Sequence, residues 1–195
     1  MERLASELAE NLEAFRALFH APENCDFVVR ELAPHGVRMA ALYIDGMANR
    51  RNLEDMVLRP LMNMRPFGGM APEGRSAALA AQVLPKGTGK LERGVRKIDD
   101  FVLEGNRAVL CDGCAQAVLA EMPGFASRAV DQPPIESAAF APHEAFNETI
   151  RTNLTLLHRI LRTPDFVTEI LEIGDRSKTK VAAVSYTHLT LPTTP

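Results

Sequence analysis

The chain has 195 residues, of which 46% are hydrophobic and 24% are charged, and its formal net charge at pH 7 is -3. This balance is typical of a globular protein and excludes a disordered chain, which would have fewer apolar residues and a larger net charge. The small net charge and the lack of a Lys/Arg run leave no electrostatic signal for nucleic-acid binding.

Cysteine content and the start of the chain indicate a reducing compartment. The three cysteines, Cys25, Cys111 and Cys114, are too few and odd in number for a disulfide framework. The N-terminus carries acids where a secretion signal needs a basic and then an apolar stretch. The longest apolar runs are far shorter than the ~20 residues that cross a bilayer. We therefore expect this piece of chain to be soluble.

The first third of the chain predicts a helix, two strands and a second helix. Leucines and phenylalanines at helical spacing predict a helix over 4–20, and Pro22 ends the pattern. The short apolar segments 26–32 and 37–44, separated by a Pro-His-Gly turn, predict two strands. Asp45-Gly46 then breaks the chain before a second helical stripe over 53–61.

The middle of the chain predicts a connector, a helix and a hairpin. Residues 65–90 are rich in glycine and proline around a short alanine-rich helix. Apolar residues at helical spacing then predict a helix over 91–103, with a glycine at its end. The apolar segments 107–111 and 114–120 flank the turn formers Asp112-Gly113, so they predict a hairpin.

The last third predicts a loop, a helix and a closing hairpin. Two consecutive prolines favour extended backbone within 125–142. Residues 146–161 form the clearest helical stripe in the chain. The segments 167–173 and 180–184, on either side of a Gly-Asp turn, predict the closing pair of strands.

Helices alternate with strands along the chain, so the predicted fold class is α/β (α+β). We expect two small subdomains, each with a short mixed sheet packed with helices. They cover residues 1–64 and 91–183, and the connector with its short helix lies between them at 65–90.

The Cys111-Asp-Gly-Cys114 segment has the spacing of a thiol site. Two thiols at this spacing can form a reactive disulfide or half of a zinc site. A zinc site needs two further ligands, and a redox motif of this kind opens a helix, whereas this one spans a predicted turn. We interpret it as a hairpin turn flanked by cysteines, and a thiol redox protein using Cys111 and Cys114 is the less favoured alternative.

Two other motifs lack residues that their chemistry requires. Residues 85–90 are similar to a phosphate loop, but Leu84 replaces its first glycine and Leu91 its hydroxyl residue. His143-Glu144 begins like a zinc-protease helix, but Asn147 replaces the second histidine. The sequence therefore predicts no catalytic, cofactor-binding or metal site, and we expect no enzyme activity.

One side of the predicted helix over 143–162 is basic, with Arg151, His158, Arg159 and Arg162. Positive charge near the C-terminal end of a helix is favourable, which is compatible with a solvated face. It is also compatible with contact to acidic lipid head groups or to a partner subunit. The sequence leaves these alternatives open.

Several segments together resemble the A subunits of GerA-family spore germinant receptors. Cys25-Asp-Phe-Val-Val-Arg30, Ala40-Ala-Leu-Tyr-Ile-Asp-Gly46 and Leu58-Arg-Pro-Leu-Met62 resemble the opening of those subunits. The resemblance implies structural or interface roles for a set of family-motif residues: Asp45, Gly46, Arg128, Pro134, Glu136, Pro142, Phe146, Glu148, Asn153, Arg159, Gly174, Ser177, Lys178 and Thr179. His158 stands where the family usually has an arginine.

The resemblance implies the N-terminal region of a subunit whose membrane helices lie outside this chain. It implies assembly with B and C subunits in the spore inner membrane, homo-oligomerisation through the A subunit, and this region facing the cytoplasm or spore core. It implies receptor assembly and signal coupling to ion release as the function, with no cofactor. An alternative is the paralogous germination protein associated with the spore dipicolinate channel.

The end of the chain departs from the family pattern. From Val184 onward the sequence resembles the translation of a sequencing adapter. We therefore expect residues 184–195 to be a non-native tail, and a Thr/Pro-rich disordered tail is the alternative.

Overall fold

A computed structural model of the chain describes residues 2–47, 54–55, 59–63, 66–67, 70–83, 89–121 and 146–186. Its helices and strands follow in the order α1 (Leu8–Leu18), β1 (Phe27–Leu32), β2 (Met39–Ile44), α2 (Arg59–Asn63), α3 (Pro72–Val83), β3 (Gly89–Glu92), α4 (Val95–Leu103), β4 (Arg107–Cys111), β5 (Ala117–Ala120), α5 (Ile150–Ile160), β6 (Phe166–Ile173) and β7 (Thr179–Tyr186). The predicted α+β class is confirmed.

Five strands form one antiparallel sheet in the order β1-β2-β4-β5-β3. Every residue of β2 and β4 is buried, because helices cover both faces of the sheet. Leu42 and Leu110 pack against α1 and α4 on one face. Met39 and Val109 pack with residues of α2 and α3 on the other face. Burial on both faces explains why these strands are continuous apolar runs.

Strands from both sides of the predicted connector belong to one sheet. Strand β2 precedes the predicted connector at 65–90 and β4 follows it, yet the two strands pair from Met39↔Cys111 to Leu42↔Ala108. Strands β6 and β7 form a separate two-stranded sheet. The first sheet thus contains strands from both predicted subdomains, because apolar strands far apart in sequence pair to bury their faces. The domain boundaries themselves stay a prediction.

The hairpin turn between β4 and β5 also forms hydrogen bonds with the N-terminus of α1. Glu7, at the N-cap position, makes no side-chain capping bond. Instead, the Leu8 amide donates to Asp112 Oδ1 over 3.0 Å, and the Gly113 amide donates to the Ser6 carbonyl over 2.9 Å. A carboxylate at a helix N-terminus is favourable for both hydrogen bonding and the helix dipole. The predicted turn at Asp112-Gly113 is confirmed, and the tertiary structure gives it this second role.

Three predicted helix starts are wrong. Leu4 precedes α1, because its amide donates to the Arg93 carbonyl instead of entering the helix. Leu91 lies in β3, which pairs with β5, so α4 starts only at Val95. Phe146 precedes α5, because the Asn153 side chain holds the backbone ahead of the helix in a non-helical path.

Other predicted elements agree with the structure or lie outside its described part. Strands β1, β2, β4, β5, β6 and β7 all occur where the apolar segments predicted them. The predicted loop at 125–142 lies outside the described residues, as do Leu53, Met56 and Val57 of the helical stripe over 53–61. Within the described ranges, no helix is long and apolar enough to cross a membrane.

Leu42 provides a test of the sheet core. Its side chain is fully buried in β2 against α1 and α4. We expect Leu42→Ala to lower the free energy of unfolding by about 2–5 kcal/mol, because it removes apolar contacts and leaves a cavity. Leu171→Ala is the control, since Leu171 is 46% exposed and should change stability by less than about 0.5 kcal/mol. Urea denaturation measures both, and equal effects would contradict this packing.

Candidate functional site

A buried carboxylate, Asp26, lies immediately before β1. Its side chain is fully removed from solvent. Its carbonyl accepts from the Asp45 amide over 2.7 Å, which ties the start of β1 to the end of β2. Its own amide donates to Asn24 Oδ1 over 3.2 Å. The local backbone therefore fixes this carboxylate at one end of the five-stranded sheet.

Three side chains from the C-terminal part of the chain converge on that carboxylate. Arg151 Nη1 donates to Asp26 Oδ1 over 2.7 Å. His158 Nε2 and Thr168 Oγ1 lie 3.0 and 2.6 Å from Asp26 Oδ2. Arg151 and His158 are two helical turns apart on the same side of α5, whereas Thr168 comes from β6. We call Asp26, Arg151, His158 and Thr168 the Asp26 cluster, which joins the first sheet to α5 and β6.

The electrostatics of the cluster favour an ionised Asp26. Burial by itself would raise the pKa of this carboxyl group. Hydrogen bonds from His158 and Thr168, together with the charge of Arg151, outweigh burial and lower the pKa below the ordinary value of 3.8. Both carboxylate oxygens are already occupied by donors, so the group is arranged to hold elements together. A general acid or base would need a free path to a substrate.

His158 has a defined orientation in the cluster. Its side chain is buried, and its ring packs edge-on against Phe166 at a centroid distance of 4.7 Å. Among the described residues, Nδ1 has no hydrogen-bond partner. Because an ionised carboxylate can only accept, the His158 Nε2–H donates to Asp26 Oδ2.

The predicted Asp45-Gly46 turn lies directly beside the Asp26 cluster. Arg151 Nη2 lies 3.3 Å from Asp45 Oδ2, so this arginine bridges two aspartates. Thr155 Oγ1 lies 3.2 Å from the Gly46 carbonyl. Gly46 has φ +86°, and a Cβ atom there would lie 2.8 Å from Thr155 Oγ1. Only glycine combines this backbone conformation with the close approach of α5.

The other family-motif residues lie in two further places. Gly174, Ser177 and Lys178 lie in the turn between β6 and β7, where Lys178 donates its amide to the Gly174 carbonyl over 3.0 Å, and Thr179 is the first residue of β7. Phe146 and Glu148 are exposed ahead of α5, and Arg159 is exposed near its end. Asn153 bonds both the amide and the carbonyl of Asn147, at 2.9 and 2.7 Å. Arg128, Pro134, Glu136 and Pro142 lie outside the described residues.

The structure gives the four basic residues of this helix and its end two different settings, and contact with acidic lipid head groups or a partner subunit stays a prediction. Arg151 and His158 turn toward Asp26 within the same chain, so neither is part of a simple solvated face. Arg159 and Arg162 are not buried, and the Arg162 Nε donates to the Arg159 carbonyl over 3.3 Å. Helical periodicity by itself indicates no partner for the basic residues of α5. The sequence feature that could have indicated this partner is the acid Asp26 directly before an apolar strand.

Cys111 and Cys114 are free thiols buried beneath the hairpin turn. A hydrogen bond between the two side chains raises the pKa of Cys111 and lowers that of Cys114 to about 6. Ser76 and Arg75 of α3 further favour the Cys114 thiolate. Within the described residues, no group of three His, Cys, Asp or Glu side chains could hold a metal ion.

Asp26→Asn tests the cluster directly. The amide cannot balance the charge of Arg151, so we expect a loss of about 2–3 kcal/mol in the free energy of unfolding at pH 7. The loss is below that of a fully buried ion pair, because Arg151 is 43% exposed. Glu31→Gln is the matched control, since it removes the surface pairs with Arg16 and Arg38 and should cost less than about 1 kcal/mol.

The effect of Asp26→Asn on the free energy of unfolding should depend on pH. Because folding lowers the pKa of Asp26, its ionic contribution is present above the unfolded pKa near 3.8 and is lost as pH falls through the lower folded pKa. The stability difference between the original protein and Asp26→Asn should therefore stay constant near neutral pH and shrink below about 3.8. A difference that stayed constant through the acid range would contradict an ionised Asp26.

Gly46→Ala tests the contact between the turn and α5, and Gly36→Ala is its control. Both glycines have positive φ, +86° and +78°, but a Cβ atom at Gly36 would meet nothing within 4 Å. We expect Gly36→Ala to cost about 1–2 kcal/mol from backbone conformation alone. Gly46→Ala should cost about 1–3 kcal/mol more from crowding against Thr155. Equal losses in thermal or urea unfolding would show that α5 does not pack closely here.

Comparisons with known proteins agree on one family. A model described as Bacillus/Clostridium GerA spore germination protein matches residues 13–193. Spore germination protein KA of Bacillus subtilis (strain 168) is 21% identical over 92% of this chain, which covers 32% of that relative. Spore germination protein GerLA of Bacillus cereus is 25% identical over 93% of this chain, which covers 36% of that relative. The chain thus spans about a third of the length of these relatives.

A solved structure shares the fold. The crystal structure of the N-terminal domain of the A subunit of the Bacillus megaterium spore germinant receptor GerK3 matches with a TM-score of 0.70 and 21% identity. The match covers 92% of this chain and 64% of that chain. The chain therefore belongs to the Bacillus/Clostridium GerA spore germination protein family.

Proposed function

We propose that this chain is part of a germinant receptor A subunit and acts in receptor assembly and in coupling the germinant signal to ion release. The family match and the shared fold with an A-subunit N-terminal domain support the subunit type. The observation that carries the coupling role is the Asp26 cluster, through which the five-stranded sheet holds α5 and β6.

The junction between the first sheet and the C-terminal elements is largely polar. Besides the cluster, the Cys25 amide donates to the Thr168 carbonyl over 2.9 Å, and Asn24 Nδ2 donates to the Phe166 carbonyl over 3.2 Å. Polar interfaces within a chain resemble transient interfaces between proteins and permit relative motion. Hydrogen bonds and ion pairs also have discrete alternative arrangements, which is what a switching junction requires.

Arg151 is the residue best placed to transmit such a change. It contacts Asp26 at the start of β1 and Asp45 at the end of β2, while its backbone belongs to α5. A displacement of α5 must therefore break or stretch two ion pairs at one end of the sheet. A force applied to the five-stranded sheet or to α5 is therefore transmitted to the other element through the Arg151 side chain.

The location of the subunit and its partners belong to the same proposal. We place the subunit in the spore inner membrane through helices outside this chain, with this region facing the cytoplasm or spore core. B and C subunits and further copies of the A subunit are the proposed partners. The common family and the N-terminal position of the matching GerK3 domain support this arrangement.

Arg151→Met, introduced into a gene that encodes the full-length subunit, tests the coupling role. We expect nutrient-triggered potassium release from spores to slow by about 5- to 150-fold, the range that corresponds to a coupling free energy of 1–3 kcal/mol. The amount of A subunit in the spore membrane, measured by immunoblot, should stay normal. Arg16→Met is the matched control, because Arg16 is also 43% exposed and forms a single surface ion pair.

Assembly is measured in the same spores by recovery of B and C subunits with a tagged A subunit. Reduced recovery with Arg151→Met and normal recovery with Arg16→Met would support an assembly role for the junction. Normal potassium release and normal recovery in the Arg151→Met spores would contradict both roles.

A further inference from the structure

Two thiols occupy the first and fourth positions of the turn that joins β4 to β5. Cys111 is the last residue of β4, and the Cys114 amide donates to its carbonyl over 3.1 Å. A hydrogen bond of this kind closes a β-turn, whose first and fourth Cα atoms lie within about 7 Å of each other. The Cα atoms of disulfide-bonded cysteines are about 4.4–6.8 Å apart. The backbone therefore already holds the two cysteines at a separation that a disulfide can span.

The two sulfur atoms also contact each other beneath the turn. A hydrogen bond joins the Cys111 and Cys114 side chains. The two residues are only 2% and 3% exposed, and they pack in the same apolar cluster as Met39 and Val109. Because the Cα separation is already suitable, an S–S bond requires rotation of two side chains and no movement of a strand.

Cys114 is the more acidic thiol of the pair. The hydrogen bond from Cys111 lowers the pKa of Cys114 to about 6 and raises the pKa of Cys111. The Ser76 hydroxyl, which otherwise has no partner among the described residues, and the charge of Arg75 favour the same thiolate. Because the thiolate is the nucleophilic form of cysteine, Cys114 is the attacking group at pH 7 and Cys111 is the resolving thiol.

The position of Cys114 admits a small reagent more readily than a large one. Its neighbours in sequence are the partly buried Gly113 and the exposed Ala115, so the buried sulfur lies just beneath the surface. Exposed turns open locally at low cost in free energy. Cys25 has the opposite combination, because it is an exposed residue whose thiol pKa is raised, chiefly by desolvation. Exposure and thiolate character thus favour different cysteines.

We propose that Cys111 and Cys114 form a modification site, at which hydrogen peroxide oxidises the two thiols to an intramolecular disulfide. The Cys114 thiolate attacks one peroxide oxygen, so that an S–O bond forms, the O–O bond breaks and hydroxide leaves. The Cys111 sulfur then attacks the Cys114 sulfur, an S–S bond forms, and the departing hydroxide takes the Cys111 proton. Together the thiols lose two electrons and two protons, and the peroxide becomes two water molecules.

The disulfide closes a ring around the two residues that hold the N-terminus of α1. Asp112 Oδ1 accepts from the Leu8 amide, and the Gly113 amide donates to the Ser6 carbonyl. Oxidation therefore restricts the turn on which the first helix depends. The reaction modifies this chain's own thiols and turns over no substrate, so it adds a redox response to the proposed receptor role without making the chain an enzyme.

Peroxide treatment of the reduced chain, followed by intact-mass measurement and peptide mapping, tests the proposal. We expect a loss of two hydrogen atoms, a cross-link between Cys111 and Cys114, and full reversal by dithiothreitol. Cys111→Ser should stop at a sulfenic acid on Cys114 that dimedone traps. Cys114→Ser should react at least about tenfold more slowly, because its remaining buried thiol stays protonated. Circular dichroism establishes that both variants are folded.

The order of reaction at the three cysteines gives an internal control that needs no variant. A bulky maleimide should label Cys25 before Cys114, whereas peroxide should form the disulfide before it oxidises Cys25. Oxidation of Cys25 first, or an unchanged mass at Cys111 and Cys114, would overturn the proposal.

The dependence of the peroxide reaction on pH identifies the attacking group. The rate of disulfide formation should rise through pH values of about 6 and level off near neutrality, because it follows ionisation of Cys114. A rate that rises only as pH approaches the ordinary cysteine pKa of about 8.5 contradicts an activated Cys114.

Discussion

The carboxylate of Asp26 is fully removed from water, and a buried charge is tolerated only where donors surround it. Those donors come from α5 and β6, which are more than a hundred residues away along the chain. The start of β1 therefore needs the C-terminal elements in place to satisfy its charge. Conversely, α5 depends on the same carboxylate to anchor Arg151 and His158.

The need to satisfy the buried charge of Asp26 explains why the turn after β2 requires particular residues. Asp45 shares Arg151 with Asp26, and Gly46 lets α5 approach more closely than a side chain would allow. The turn thus determines the distance between helix and sheet, while the cluster determines the orientation of the helix. The resulting connection is polar and specific, which distinguishes it from the apolar packing of α1 and α4 against the sheet.

Much of the secondary structure followed from local patterns. The apolar segments of β1, β2, β4 and β5 and the Asp112-Gly113 turn were predictable, because burial on both faces and turn chemistry leave signals in adjacent residues. Helix starts were less predictable. Leu4 and Leu91 have helical spacing but pair with other backbone segments, and periodicity cannot detect a competing partner elsewhere in the chain.

By itself, the sequence determined the α+β class and the family. Each of these depends on residue types in short segments or on the order of such segments. Only the tertiary structure decided that β2 pairs with β4, and that Arg151 and His158 contact Asp26. The physical reason is that strand pairing and buried charge are satisfied by groups distant in sequence. A single sequence records that Asp26 is an acid, but the fold alone supplies its counter-charge.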